Sequence, residues 1–387
     1  MGRKKSNKKR SDGRIMSQIY LGVVDGKRKY KTVYGSTQAE VDSKVFDIKL
    51  QLKKGIDVIA QRRTFDFWVQ SWLKSKKDVV SNGRYVSLMS KLSYFEPVFD
   101  MPLIEITTFD LQECLNAHCD LAFATLKEAR QVVSNVFDLA IANRVTEYNP
   151  AGYLTLPVKS SQVTVRRALT ETEQQMIIET PHRAQRIAMI LLFAGLRRGE
   201  LIPLTWNDIS FQNRTITVNK AVEMVNNHPI IKGMTKTKAG MRCIDIPDIL
   251  VEFLKLEYQK DKNISDKFSI DSLVCPTAHG KLMTASAWRC VWSSYMLELD
   301  IKYGKNKKDN ISKYAPKPRF CSIDTFSAHN LRHTYASMLY KAGVDILTAK
   351  EQLGHADVKT TLNIYTHLDK QFKRKSMNKL DDYLKKD

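Results

Sequence analysis

Two arginines, three histidines and a late tyrosine, all in the last half of a 387-residue chain, are the side chains best suited to chemistry. Arg197 stands in Ala194-Gly195-Leu196-Arg197-Arg198-Gly199-Glu200, and Arg332 in His329-Asn330-Leu331-Arg332-His333. His355 ends Leu353-Gly354-His355, and Tyr365 follows ten residues later. A guanidinium stays charged at any working pH and donates in a planar fork that fits two non-bridging oxygens of a phosphate. Histidines manage protons, and a tyrosine oxygen can attack phosphorus and hold the phosphate covalently. Such a set could break a phosphodiester without a metal ion.

Each of these residues needs an element to aim it. The apolar run Ile187–Leu196 reads as a buried helix, about half the ~20 residues of a membrane span. Gly195 and Gly199 are expected to let the backbone turn, so that Arg197 leaves that helix for a cleft. Glu200 lies one turn on and could orient Arg197, whereas Arg198 is expected to be solvated. The segment His329–His333 reads as a helix whose opposite face, Leu331, Tyr335, Met338 and Leu339, is core. Spacings of i, i+3 and i+4 put His329, Arg332 and His333 on one side. Gly354 is expected to close the next helix in the left-handed conformation. Tyr335, Tyr340 and His367 read as structural. Lys236-Thr237-Lys238-Ala239-Gly240-Met241-Arg242, ahead of Ile244-Asp245-Ile246-Pro247, reads as a turn between two strands. By itself it is a solvated hairpin tip or a plain phosphate contact.

Composition narrows the partner. Lys and Arg number 62 against 41 Asp and Glu, a formal charge of +21, which points to a polyanion and to nucleic acid first. An anionic membrane would also suit that charge, but no strongly amphipathic basic helix with an exposed apolar face is evident. The six cysteines form no C-x-x-C pair and read as small thiols in a reducing compartment. The basic start Met1-Gly2-Arg3-Lys4-Lys5 has no apolar stretch behind it, so a soluble intracellular protein is expected. No P-loop and no Asp/Glu cluster of a two-metal nuclease is found.

The chain organises into several parts. Arg3, Lys4, Lys5, Lys8, Lys9 and Arg10 make a basic block that reads as a solvated tail with DNA within reach. Strand-like runs Ile15–Val24 and Lys29–Tyr34 flank the turn signal Asp25-Gly26. Ser36 or Thr37 then caps a helix with Val41, Val45, Ile48 and Leu52 on one face and Gly55 at its end. The expectation is a three-stranded sheet with one helix over residues 1–60. Residues 61–155 are helical in texture, with stripes Phe65, Trp68, Val69, Trp72 and Leu126, Ala129, Val133, Val136, Ala140, Ile141, ended by Pro150 and Gly152. Residues 156–168 read as an extended basic linker whose Lys159, Arg166 and Arg167 would meet phosphates. A last domain, 169–387, opens at Thr170, which caps a helix with Glu173 three residues on. Helices are expected over most of 170–208, strands near 214–225, 229–233 and 241–246, and helices thereafter.

The Arg-x-x-Glu string at Arg197, the H-x-L-R-H string, Leu353-Gly354-His355 and Tyr365, in this order, resemble the tyrosine recombinase family, the phage and conjugative-element integrases in particular. The likeness extends to the order of small sheet domain, helical domain, basic linker and last domain. It implies an α+β multidomain fold: an arm-type DNA-binding domain, a helical-bundle domain for core sites, and a mainly α catalytic domain with a small antiparallel sheet. It implies a site-specific recombinase with a covalent 3′-phosphotyrosine intermediate. Arg197, Lys238, His329, Arg332, His355 and the nucleophile Tyr365 would be catalytic, with Glu200 and His333 in support. Lys238 fits the family's mobile hairpin lysine best by its distance from Gly240, and Lys236 remains the alternative. Neither metal nor cofactor is implied. The implied partners are double-stranded DNA at core-type and arm-type sites, three further copies in a homotetramer, an excisionase and a host DNA-bending protein, with no membrane. The implied location is the bacterial cytoplasm at the nucleoid. A type IB topoisomerase-like enzyme that only relaxes DNA is the rival reading.

Overall fold

The computed structural model describes residues 8–9, 11–24, 27–156, 167–233, 241–304, 323–355, 357–359 and 361–362. It divides into two units, Met1–Thr164 and Val165–Asp387.

In the first unit, strands β1 (Lys8–Lys9), β2 (Ile15–Val24) and β3 (Lys27–Gly35) form an antiparallel sheet in that order. Lys8 pairs with Met16 and Lys9 with Ile15, so the end of the basic block is a strand where composition suggested a solvated tail. Lysine has little intrinsic strand preference, and the free edge of β2 supplies the pairing that the side chains do not. Helix α1 (Gln38–Lys53) lies on this sheet. Thr37 is its cap, accepting from the Glu40 backbone N–H, while the Ser36 hydroxyl donates to the Glu40 carboxylate at 2.9 Å. Val41 and Ile48 are buried with Ile19 and Val33, the inward residues of the alternating strands.

A separate core in the same unit is built by α2 (Phe65–Lys76), α3 (Asn82–Leu92), α4 (Thr108–Asn116) and α5 (Phe123–Ala142). Phe65, Trp68, Val69 and Trp72 are all buried, as are Leu126, Ala129, Val133, Val136 and Ala140, while Ile141 is only half-buried. Pro150 does not end this body. A short 3-10 turn, Pro150–Tyr153, folds back so that Ala151 and Leu154 join the core. The Asn149 amide fastens it by donating to the Ser134 carbonyl and to the Asp138 carboxylate on α5.

The second unit begins with α6 (Glu171–Glu179), where Thr170 and Glu173 form the expected capping box. Next come α7 (Gln185–Ala194) and the single-turn α8 (Arg198–Leu201). Strands β4 (Ile209–Ser210), β5 (Thr215–Val218), β6 (Lys220–Val225), β7 (His228–Gly233) and β8 (Arg242–Asp245) follow. They form two small antiparallel sheets, β4-β5-β8 and the hairpin β6-β7. Asn226 and Asn227 turn that hairpin with φ of 49° and 65°, values asparagine tolerates in two-residue turns. Helices α9 (Asp248–Ile264), α10 (Ala285–Tyr303), α11 (Ala328–Lys341) and α12 (Ile346–Leu353) come next.

Helix α7 is the centre of this unit: Ile187 through Leu192 and Ala194 are all buried. Arg186 fixes its start, donating to Glu257 and Asp261 of α9 and to the Val274 carbonyl. The architecture is α+β with small antiparallel sheets, as the family resemblance implied. No helix among the described residues is long and apolar enough to cross a membrane.

Candidate active site

Helix α7 ends at Ala194, and Gly195 takes the left-handed conformation with φ 62°. A Cβ there would collide with the Tyr335 ring, so both the backbone angle and the space demand glycine. The reversal delivers Arg197 to the start of α8. Its backbone N–H donates to Glu200 Oε2 at 2.8 Å and its Nη1 to Glu200 Oε1 at 2.8 Å. Its Nη2 donates to the Gly354 carbonyl at 2.7 Å, which ties this turn to the end of α12. Gly199 serves a different purpose from the turn expected of it. It lies inside α8, and a Cβ there would stand 3.0 Å from the Val222 carbonyl oxygen of β6. Close approach of a strand, not backbone freedom, is its reason.

Arg332, on α11, is only 5% exposed. Its Nη1 donates to the Gly195 carbonyl and its Nη2 to the Leu353 carbonyl. One planar fork therefore joins the segment before Arg197 to the segment before His355. Burial above all, with the nearby Arg197 charge, pushes the Arg332 guanidinium down to about 9, so it stays cationic at neutral pH. Gly354 closes α12 with φ 60°, as expected, and turns the chain to His355. Burial first, then the charges of Arg332 and Arg197, push the His355 imidazole down to about 4, so it is neutral at pH 7. Its Nδ1 lies 2.9 Å from the Thr361 hydroxyl, which is fully buried.

Leu196, Arg197, His329 and Arg332 line one cavity of about 530 Å³, together with Trp288 and Trp292 of α10. The two indoles are stacked 6.0 Å apart and 3° from parallel. Arg198 is exposed as expected, and its guanidinium also lies over the Trp288 ring at 5.8 Å. His329 is exposed in the first turn of α11, and His333 is half-buried one turn further along.

Two residues bearing on this site were not singled out in the sequence. Arg242, at the start of β8, has a buried side chain that donates to both Glu200 oxygens at 3.0 and 2.8 Å. Burial alone would raise the Glu200 carboxyl, but Arg242 and the Arg197 backbone N–H hold it at about 2. Thr361, beside His355, is the other. Its position four residues before Tyr365, one helical turn, was a signal available in the sequence. For Arg242 there was none, because its partner is 42 residues away.

Tyr365, Lys236, Lys238 and His367 lie outside the described residues, as do Arg3, Lys4, Lys5, Arg10, Lys159 and Arg166. For Lys8 and Lys9 only the strand is described. Arg167 is engaged within the fold: its Nη1 and Nη2 donate to the two Glu173 oxygens at 2.7 and 2.6 Å. Among the described residues, no group of three His, Cys, Asp or Glu could hold a metal ion.

Arg197 and Arg242 both bond one carboxylate, Glu200, and Arg332 lies within its electrostatic reach, so three guanidinium groups share a single negative charge. The cavity offers guanidinium donors from Arg197 and Arg332 beside the His329 imidazole, and the neutral His355 follows the Gly354 carbonyl that Arg197 holds, the chemistry of a site for a phosphate diester.

Comparison with known proteins defines the class. The chain belongs to the phage integrase family, whose model matches residues 165–371, and the model of the phage integrase central domain matches residues 65–155. It is a tyrosine-type site-specific DNA recombinase. Among curated relatives it is 23% identical to a XerC-like tyrosine recombinase of Caldanaerobacter subterraneus subsp. tengcongensis, over 92% of this chain and 93% of the relative. The ICEBs1 integrase of Bacillus subtilis is 25% identical over 65% of this chain and 64% of its own. Among solved structures, the Tn1549 transposon integrase in complex with transposon right end DNA aligns at TM-score 0.65 and 21% identity, covering 82% of this chain and 99% of that one. A lambda integrase tetramer bound to a Holliday junction aligns at TM-score 0.54 and 18% identity, over 96% and 99% of the two chains.

Proposed function

We propose that this recombinase integrates and excises a mobile element by attack of Tyr365 on a DNA phosphate held by Arg197, Arg332 and His355. The observation that carries this is the single cavity lined by Arg197, His329 and Arg332, with both guanidinium groups tied to the backbone that leads to His355.

An ordinary tyrosine has a pKa of about 10, so only about a thousandth is phenolate at pH 7. His329 takes the phenolic proton as the Tyr365 oxygen bonds to phosphorus. The transition state gathers negative charge on the non-bridging oxygens, and Arg197 and Arg332 donate to it. Neutral His355 can join them if the Thr361 hydroxyl donates to Nδ1, because the ring then carries its proton on Nε2 and can donate from there. The bond to the 5′ oxygen breaks, and Lys238, or Lys236 in its place, protonates that oxygen. The products are a 3′-phosphotyrosine and a free 5′-hydroxyl. Exchange of one ester for another needs no nucleotide and no metal ion.

By the same reading, residues 1–60 bind arm-type sites, 61–155 bind core-type sites, and 156–168 form a basic linker. The tail lysines and arginines, with Lys159, Arg166 and Arg167, meet phosphates, and for Arg167 a phosphate would compete with Glu173. His333 supports the site from the second turn of α11. The working assembly is a homotetramer on two DNA partners, helped by an excisionase and a host DNA-bending protein, in the bacterial cytoplasm at the nucleoid. One related structure is itself a tetramer on a Holliday junction, which supports that assembly.

Strand exchange tests the reading against its rival. Two labelled duplexes carrying attachment sites of the element should yield recombinant strands in the presence of EDTA. Relaxation of supercoils without recombinants would favour the topoisomerase-like alternative, and loss of all activity in EDTA would favour a metal-dependent nuclease.

A further inference from the structure

We propose that Arg242 is a positioning residue, which holds the Glu200 carboxylate so that Arg197 keeps its remaining donors for the phosphate. This rests on the phosphoryl-transfer reading above.

Arg242 never reaches the cavity wall. Its side chain is buried at the start of β8, between two segments that carry other functional groups. Its two terminal nitrogens take one oxygen each of Glu200, and its Nε donates to the Gln352 carbonyl at 3.3 Å. It also fills the space beside Gly354: a Cβ on that glycine would stand 2.7 Å from the guanidinium carbon. One side chain thus braces both partners of Arg197, the Glu200 carboxylate and the Gly354 carbonyl.

The consequence is electrostatic as well as geometric. Glu200 is 3% exposed, and a buried carboxylate draws in whatever cation is near. With Arg242 on both oxygens, Arg197 needs to give only Nη1 and its backbone N–H. Without Arg242, the same carboxylate would pull the whole Arg197 fork toward itself and away from a bound phosphate.

The test uses the whole 387-residue chain and a nicked suicide duplex, with R242M and R242K. The wild-type rate of covalent adduct formation checks the underlying reading independently. If the wild type forms no adduct, that reading fails; only with an adduct do the Arg242 variants speak. R242M should form adduct about 100-fold more slowly at a temperature where it stays folded, with DNA affinity little changed, since misplacing a group by an ångström can cost that much. Its melting temperature should fall, because the buried Glu200 carboxylate loses a partner. R242K keeps the charge without the fork and should recover part of the loss, and it serves alone if R242M does not fold. The decisive readout is a methylphosphonate at the scissile position, which removes the negative charge that Arg197 answers. There the variants should fall within a few-fold of wild type. An equal loss on phosphate and methylphosphonate would mean general damage and overturn the proposal. So would wild-type rates for both variants on phosphate.

Discussion

His355 Nδ1 lies 2.9 Å from the hydroxyl of Thr361, a residue with no exposed surface. A neutral imidazole has one donor nitrogen and one acceptor nitrogen, so a buried hydroxyl on one face decides what the other face can offer. Thr361→Val keeps the volume and removes that hydrogen bond. The rate of adduct formation on a suicide duplex should fall about tenfold, the equivalent of one net hydrogen bond, with DNA binding intact. An unchanged rate would mean that Thr361 does not set the ring.

The same histidine makes stability depend on pH. Its folded value is about 4, below the ordinary value of 6.5, chiefly because of burial and then because of Arg332 and Arg197. Between those two values the unfolded chain binds the proton and the folded one does not. The contribution of neutral His355 is therefore complete above pH ~6.5 and is lost as pH falls toward ~4. Melting curves of wild type and His355→Gln at pH 7 and pH 5 check this: the wild type should lose more melting temperature over that interval. Equal losses would contradict the assignment.

Gly195 carries two demands at once, a φ of 62° and the face of the Tyr335 ring. Gly195→Ala should cost about 2 kcal/mol or more in urea unfolding, combining left-handed strain with overpacking. Because the Gly195 carbonyl also receives Arg332, adduct formation should fall in the molecules that remain folded. A stable and fully active variant would show that the turn can be made another way.

Local signals in this chain were readable, and distant ones were not. Thr170 with Glu173, Gly354 at the end of α12, and the buried run of α7 are each decided within a few residues, where capping and periodicity act. Arg242 is decided by Glu200 and Gln352, which reach it only through the fold, so its sequence neighbours carry no mark of it. The strand at Lys8–Lys9 depends likewise on the edge of β2 rather than on lysine itself. Gly199 differs from its expected role: a glycine tolerates turns, but here it makes room for the Val222 carbonyl. Of the proposed machinery, Arg197, His329, Arg332 and His355 fall among the described residues, and Tyr365 and Lys238 do not.

Lys238 has a chemical test of its own. If it protonates the departing 5′ oxygen, Lys238→Ala should be slow on an ordinary duplex. A 5′-bridging sulfur leaves without a proton and should restore cleavage. Failure of the sulfur substrate to rescue this variant would shift the role to Lys236.

The central claim is that the oxygen of Tyr365 becomes bonded to a DNA phosphorus. A nicked suicide duplex traps that bond, and protease digestion followed by mass spectrometry locates it. The account predicts a nucleotide mass on the peptide containing Tyr365 in the wild type, and no adduct from Tyr365→Phe. An adduct that persists in that variant, or one mapped to Tyr335 or Tyr340, would contradict it.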